Sequence, residues 1–149
     1  MNERGFGLNA WTFALVLVCV GLVISGYLSY VKLLDAPIYC SDDGTFSCGV
    51  VTNSRYSTLG GIPVAYLGFG LYMLIGVLLL VEHTHVFLRD NGRLLVLILG
   101  LVGWTFSMWL VYVQAVVIQA YCQWCLSHEF NFTVLFGIIV YLFWEDVNN

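Results

Sequence analysis

The chain has 149 residues, of which 60% are hydrophobic and 9% are charged, and its formal net charge is −4. So small a polar fraction cannot cover a water-soluble globule, which excludes a soluble protein. Its five basic residues are scattered and form no basic surface that would bind nucleic acid. The lipid bilayer is therefore the expected surrounding.

Four apolar stretches are long enough to cross a bilayer, whose core of about 30 Å needs about 20 helical residues. They run over residues 11–31, 62–81, 94–118 and 125–144. The first stretch could be taken for a signal peptide, but its apolar run is too long and no clear small-residue cleavage site follows. The sequence predicts an all-α integral membrane protein, a single-domain bundle of four transmembrane helices.

Positive residues give the expected orientation. Under this topology Arg4, Arg89 and Arg93 lie on the side of the two termini, and Lys32 and Arg55 lie on the other side. Loops rich in basic residues stay in the cytoplasm, so the count favours cytoplasmic termini. The expected location is the bacterial cytoplasmic membrane with the cysteines facing outside, or the endoplasmic reticulum membrane in a eukaryote.

The connection between the first and second spans, residues 32–61, is the only one long enough to hold chemistry of its own. Within it, Ser41–Thr45 is a turn signal that folds Cys40 back toward Cys48, because Asp caps local amides and Gly accepts positive φ. Residues 50–59 favour a short helix or irregular interfacial segment over a strand. We interpret this connection as a redox loop.

Four of the five cysteines, Cys40, Cys48, Cys122 and Cys125, lie on the same side of the membrane in this topology. A CxxC at a helix start is typical of a redox site, because unpaired amides and the helix dipole stabilise a thiolate. Exchange between the pairs proceeds through mixed disulfides, so a relay must alternate among the three possible pairings. Two static disulfides or a zinc site are the alternative interpretations.

The remaining cysteine and two of the histidines carry no assigned chemistry. Cys19 lies alone in the middle of the first span, where it is predicted to pack in the core as a small apolar side chain. His83 and His85 end the second span on the opposite side of the membrane, where a polar interfacial turn explains them.

His128 and Glu129 follow Cys125 by three and four residues and so share its helical face. Ionisable groups are costly in lipid, so these two are expected to face a pocket, where they could hydrogen-bond or protonate the oxygens of a quinone. Solvation at the interface is the other interpretation. Four aromatic residues could either surround the flat ring of the quinone or anchor the helices at the membrane interface: Trp104, Trp109, Tyr121 and Trp124.

The order of the cysteines, a loop pair followed by CxxC at the head of the fourth helix, resembles the vitamin K epoxide reductase family over nearly the whole chain. In the loop, Ser47-Cys48 followed by Val51 and Ser54-Arg55-Tyr56 is similar to the family's pattern. The start of the second helix, Gly61-Ile62-Pro63-Val64, resembles the family's bacterial branch.

This resemblance implies a role for each site residue. Cys125 would face a quinone and donate electrons to it, while Cys122 would form the disulfide that links the CxxC to Cys48. Cys40 would face the redox partner. Ser54 would correspond to the family's loop serine and help shape or polarise the quinone site.

The resemblance also implies a membrane thiol-disulfide oxidoreductase that oxidises a thioredoxin-like partner, reduces ubiquinone, menaquinone or vitamin K without a metal, and supports disulfide formation. Since the sequence ends five residues beyond Trp144, the partner is expected to act in trans. Glu129 stands where vertebrate members use a tyrosine. Reduction of vitamin K quinone or its epoxide is the alternative of the same class, and a disulfide-braced membrane scaffold is the alternative of another class.

Overall fold

The computed structural model describes residues 3–41, 44–81 and 86–148, with side chains from residue 9 in the first range and from residue 91 in the last. Residues 42–43 of the predicted turn, His83, His85 and the side chains of Arg4 and Arg89 lie outside the described residues. The described ranges form five α-helices: α1 (Glu3–Leu33), α2 (Cys48–Thr52), α3 (Val64–Val81), α4 (Val86–Tyr112) and α5 (Gln123–Asn148).

Four of these helices are long and apolar enough to cross a membrane, which confirms the predicted fold class. Their candidate spans are Asn9–Leu33, Val64–Val81, Asn91–Ile118 and Gln123–Asn148. Around the bundle, the neighbours follow the order α1, α3, α4, α5, and α5 closes the ring against α1. Large apolar side chains such as Val23 and Val102 point away from the bundle, 73% and 64% exposed, as a surface in lipid requires.

The core combines tight apolar packing with one polar network. Tyr72, Ile75 and Leu135 are fully buried between the helices. The Asn131 amide donates to the Leu17 carbonyl at 3.0 Å and to the Tyr72 hydroxyl at 2.9 Å, which ties α1, α3 and α5 together. Such interhelical bonds contribute about 0.6–2 kcal/mol each within a bilayer.

Glycine allows α1 and α3 to pack closely beside that network. A Cβ placed on Gly21 would overlap the ring of Tyr72, so no larger residue fits there without moving the ring. Small residues at helix interfaces serve this purpose in membrane proteins, where close van der Waals packing replaces the hydrophobic effect.

Cys19 does not pack in the core, and the prediction made for it was wrong. Its side chain is exposed on the outer face of α1, beside the buried Val18. The physical reason is that lipid and core are equally apolar, so hydrophobicity alone does not tell the two faces of a membrane helix apart.

The loop between α1 and α3 contains a short helix, which was predicted, and a hairpin whose first strand ends the range 50–59, where the prediction had disfavoured a strand. Helix α2 is followed by one 3₁₀ turn over Arg55–Ser57. Strands β1 (Thr58–Leu59) and β2 (Ile62–Pro63) then pair antiparallel around Gly60 and Gly61. Both glycines have positive φ, 60° and 90°, which a two-residue turn of this kind requires.

Helix α4 changes form before it reaches the CxxC. After Tyr112 it continues as a π-helix over Val113–Ile118, and Gln119 then ends the helical segment in the left-handed region at φ 54°. Tyr121 follows and forms a parallel β-bridge with Phe46 of the loop. This bridge fastens the loop to the connection that leads into α5.

Candidate active site

The two cysteine pairs meet where the loop lies against the start of α5. The Ser47 amide donates to the Tyr121 carbonyl at 2.9 Å, so the residues that precede Cys48 and Cys122 are bonded to each other. Both of these cysteines are almost completely buried, 1% and 0% exposed, in one shared apolar cluster. One cysteine of each pair, Cys48 and Cys122, therefore packs in the same buried cluster.

The four cysteines hold one disulfide and two thiols. Cys40 is bonded to Cys48 with a Cα–Cα distance of 6.1 Å, whereas Cys122 and Cys125 are free. The Cys48–Cys122 link that the resemblance implies is not the pairing in this structure. Among the described residues, no group of three or more His, Cys, Asp or Glu side chains is placed to hold a metal ion.

Within the loop disulfide, the two sulfurs differ in accessibility. Cys40 is partly exposed at the surface, while Cys48 is buried against Val51 and Cys122. Since thiol-disulfide exchange needs access to the sulfur that is attacked, a thiol arriving from outside reaches Cys40 first. Cys48 would then be the leaving sulfur, released next to the CxxC.

Hydrogen bonds at the start of α5 hold the CxxC in place. The Cys125 amide donates to Cys122 Sγ at 3.3 Å, as expected where the first amides of a helix lack backbone partners. The Cys122 amide donates to Oε1 of Gln114 at 3.2 Å, and Gln114 lies in the π-helical segment that follows α4. Gln114 is itself buried, so this bond is shielded from solvent.

Contacts with the first residues of α5 lower the pKa of the Cys122 thiol, which lies between two membrane-spanning segments. The largest cause is the hydrogen bond from the Cys125 side chain, and the amides of Cys125 and Trp124 add to it, while burial acts in the opposite direction. A lowered pKa keeps the thiolate present at lower pH, and the thiolate is lost as the pH falls through that pKa.

We therefore expect the pKa of Cys122 to depend on a donor at position 125. In a Cys19→Ala, Cys40→Ser, Cys48→Ser background, Cys125→Ser and Cys125→Ala each leave Cys122 as the one thiol of the chain. Serine retains a donor and alanine does not, so Cys122 should ionise at lower pH in the serine variant. Ultraviolet titration of the thiolate measures this, and equal titration curves would contradict it.

Residues on both sides of Cys40 are held by the two residues inside the CxxC. Trp124 Nε1 donates to the Tyr39 carbonyl at 2.7 Å, and the Ser41 amide donates to Gln123 Oε1 at 3.4 Å. The hydroxyl of Tyr27 accepts from the Tyr39 amide at 3.4 Å, and its ring packs on Trp124 with centroids 4.9 Å apart. Side chains of α1 and α5 thus hold residues 39–41 of the loop in place.

A cavity of about 1000 Å³ opens beside the CxxC between the loop and the helices. Cys125, Ser54, His128 and Glu129 all line it, whereas Cys122 does not. None of the four aromatic residues considered as a possible wall lines it either. The aromatic side chains on its wall are Tyr56, Tyr72, Phe106 and Phe132.

Three buried polar atoms on the cavity wall have no hydrogen-bond partner within the described residues: Ser107 Oγ, His128 Nε2 and Glu129 Oε2. Ser107 and Glu129 are only 6% and 7% exposed. His128 Nδ1 lies 3.6 Å from Glu129 Oε1, and its ring meets the edge of Tyr72. Buried polar atoms normally have partners, so this cluster suits a ligand with polar atoms of its own.

Ser54 lies on the same wall, but its hydroxyl is already used. Its Oγ donates to the Val51 carbonyl at 2.8 Å and so satisfies the end of α2. The serine oxygen remains available as an acceptor, whereas donation to a ligand would require this bond to break.

Sequence reasoning did not single out Ser107, Gln114 or Gln123, and it considered Trp124 only as an aromatic. For the first two a signal existed, because an isolated polar residue inside an apolar span is rare and often faces a cavity. The contacts of Gln123 and Trp124 had no comparable signal, since their partners lie more than eighty residues away, 82 for the Ser41 bond and 85 for the Tyr39 bond.

Residues 12–141 match the model described as the vitamin K epoxide reductase family. The matched range includes most of the first and fourth spans, all of the second and third, the whole loop and both cysteine pairs.

Proposed function

The chain belongs to the vitamin K epoxide reductase family, and from this membership we propose a membrane oxidoreductase that takes electrons from a thioredoxin-like dithiol and gives them to a quinone. The observation that carries the proposal is the opening of Cys125 onto an apolar cavity whose wall holds unpartnered polar atoms. A quinone has a flat apolar ring with two carbonyl oxygens, which fits such a wall.

The loop disulfide is proposed to receive the electrons. A thiolate of the partner attacks Cys40, forms a mixed disulfide and releases Cys48 as a thiolate. Cys48 then attacks Cys122 of the oxidised CxxC and releases Cys125. The partner's second thiol frees Cys40, which attacks Cys48, restores the loop disulfide and leaves Cys122 and Cys125 as a reduced pair.

The structure holds an oxidised loop disulfide and a reduced CxxC. This is the state that the exchange steps above would produce. From it, Cys122 and Cys125 give up two electrons and two protons as their sulfurs bond, and the quinone becomes a hydroquinone. We propose that His128 Nε2 and Ser107 Oγ, which have no partner among the described residues, donate hydrogen bonds to the carbonyl oxygens. Glu129, whose Oε1 lies 3.6 Å from His128 Nδ1, is proposed to exchange a proton with His128. Ser54 shapes the wall on the loop side.

The proposed role also suggests a location. Proteins gain disulfides outside the cytoplasm, so the cysteine end of the bundle would face that side and both termini would face the cytoplasm. The partner would be a separate thioredoxin-like protein on the same side. Quinone would reach the cavity from the bilayer, where such apolar molecules dissolve.

A single-turnover experiment tests the proposal. Purified protein with a reduced CxxC is mixed anaerobically with a quinone, and the loss of quinone absorbance is followed. We expect one quinone consumed per protein with formation of a Cys122–Cys125 disulfide, and no consumption by fully oxidised protein. Parallel runs with ubiquinone, menaquinone, vitamin K and vitamin K epoxide identify the substrate by its product.

A scaffold whose cysteines only brace the loop gives a different result. Quinone absorbance would then remain constant with every acceptor, and a thioredoxin-like protein carrying one active-site cysteine would not become trapped on Cys40. Reduction of the epoxide alone would instead favour the epoxide reductase alternative.

A further inference from the structure

Both arms of the loop are anchored on one four-residue segment, Tyr121–Trp124. The arm that ends in Cys48 is held by Tyr121 through its backbone, and the arm that contains Cys40 is held by Gln123 and Trp124 through their side chains. The side-chain contacts fall on both neighbours of Cys40, residues 39 and 41. We call Gln123 and Trp124 the clasp.

The clasp acts on a cysteine that it does not touch. Its bonds are made to the backbone of Tyr39 and Ser41, and they leave the sulfur of Cys40 bonded to Cys48. Two fixed neighbours restrict the motion of the residue between them. A sulfur restricted in this way has a high effective concentration toward Cys48.

That restriction is important at one step of the proposed function, on which this inference rests. After Cys48 has attacked Cys122, the Cys48–Cys122 disulfide must be resolved so that the CxxC regains its two thiols. The Cys40 thiolate does this by attacking Cys48 Sγ, which forms the Cys40–Cys48 bond and releases Cys122 as a thiolate. The step is an isomerisation with no net gain or loss of electrons.

We propose that Gln123 and Trp124 are positioning residues that hold Cys40 against Cys48, so that the loop disulfide is favoured over the Cys48–Cys122 disulfide. The residues between the CxxC cysteines thus help to set how electrons divide between the two pairs. Tyr27 supports the clasp, because its ring packs on Trp124 and its hydroxyl accepts from the Tyr39 amide.

A chain with three thiol positions tests this directly. In a Cys19→Ala, Cys125→Ser background, the single disulfide can form as Cys40–Cys48, Cys48–Cys122 or Cys40–Cys122, and the ratio of the first to the second does not depend on the redox buffer. The ratio is read by acid quench, alkylation of free thiols and mass spectrometry of the linked peptides. Trp124→Phe keeps a ring against Tyr27 but removes the N–H donor.

We expect Trp124→Phe to lower the ratio of Cys40–Cys48 to Cys48–Cys122 about fivefold, the effect of losing one hydrogen bond. Gln123→Met should lower it about twofold, since that bond is longer, and the double variant about tenfold. Trp144→Phe, at the far end of α5, is the matched control and should leave the ratio unchanged. Tyr27→Phe, which removes only a hydroxyl outside the CxxC, should shift the ratio in the same direction as Trp124→Phe.

If the double variant has the wild-type ratio of Cys40–Cys48 to Cys48–Cys122 and unfolds at the same temperature as the control, the proposed role of the clasp is wrong. If the double variant fails to fold, the Tyr27→Phe result decides in the same way. Quinone reduction is measured separately in the four-cysteine wild-type chain and in its Trp144→Phe variant, which is changed only at the far end of α5 and should reduce quinone at the wild-type rate. A wild-type chain that reduces no quinone would therefore contradict the proposed function and leave the ratio as an independent test of the clasp.

Discussion

Replacing Cys125 with alanine is expected to lower the rate of quinone reduction by the reduced protein at least about a thousandfold, as removal of a reacting nucleophile does in other enzymes. Cys125 is the CxxC sulfur that lines the cavity, and Cys122 is buried away from it. Without Cys125, no sulfur of the CxxC can contact a quinone bound in the cavity. Anaerobic stopped-flow absorbance of the quinone measures the loss.

The control for this result is Cys19→Ala, which removes a thiol on the outer face of α1. It should reduce quinone at the wild-type rate. Quinone reduction by Cys125→Ala at more than a tenth of that rate would show that another group delivers the electrons, and the assigned role of Cys125 would be wrong.

Replacing Cys40 with serine is expected to separate the two halves of the reaction. Turnover driven by a reduced thioredoxin-like protein should fall at least about a hundredfold, because the accessible sulfur that such a partner attacks is lost. Turnover driven by a small dithiol should stay within about threefold of wild type, since a small molecule can enter the cavity and reduce the CxxC at Cys125.

The comparison needs both reductants in the same preparation. Thr58→Ala serves as the matched control, because it removes an exposed hydroxyl from the same loop, away from the cavity lining, while both cysteine pairs remain intact. If Cys40→Ser lost activity with the small dithiol as well, the loop would act on the quinone step and the proposed division of labour would be wrong. If it kept activity with the protein partner, electrons would enter elsewhere.

The spans and the meeting of the two cysteine pairs at one end of the bundle could be predicted from sequence because their signals are local. A bilayer of fixed thickness demands runs of about 20 apolar residues, and the four helices of the structure cover the predicted stretches except residues 62–63, which form β2. The CxxC is visible as a motif. Two spans separate the loop pair from the CxxC, so the predicted topology puts both cysteine pairs at the same end of the bundle. Gly60-Gly61 also carried a readable hairpin signal, which was not used.

Other features depend on contacts that sequence does not encode locally. Cys19 was placed in the core because an apolar helix in lipid looks the same on every side. The bond from Gln114 to Cys122 depends on a π-helical turn, and neighbouring residues gave no indication of that turn. The three unpartnered atoms on the cavity wall lie on two different helices, so only their packing brings them together.

The anchoring of both loop arms on Tyr121–Trp124 has a consequence for protein engineering. Loops between helices are usually treated as parts that can be exchanged independently of their scaffold. Here the loop between α1 and α3 has its docking surface in a segment some eighty residues later in the chain. A chimera that imports this loop from a homologue would need to import that short segment with it, since either one alone would meet a surface shaped for a different counterpart.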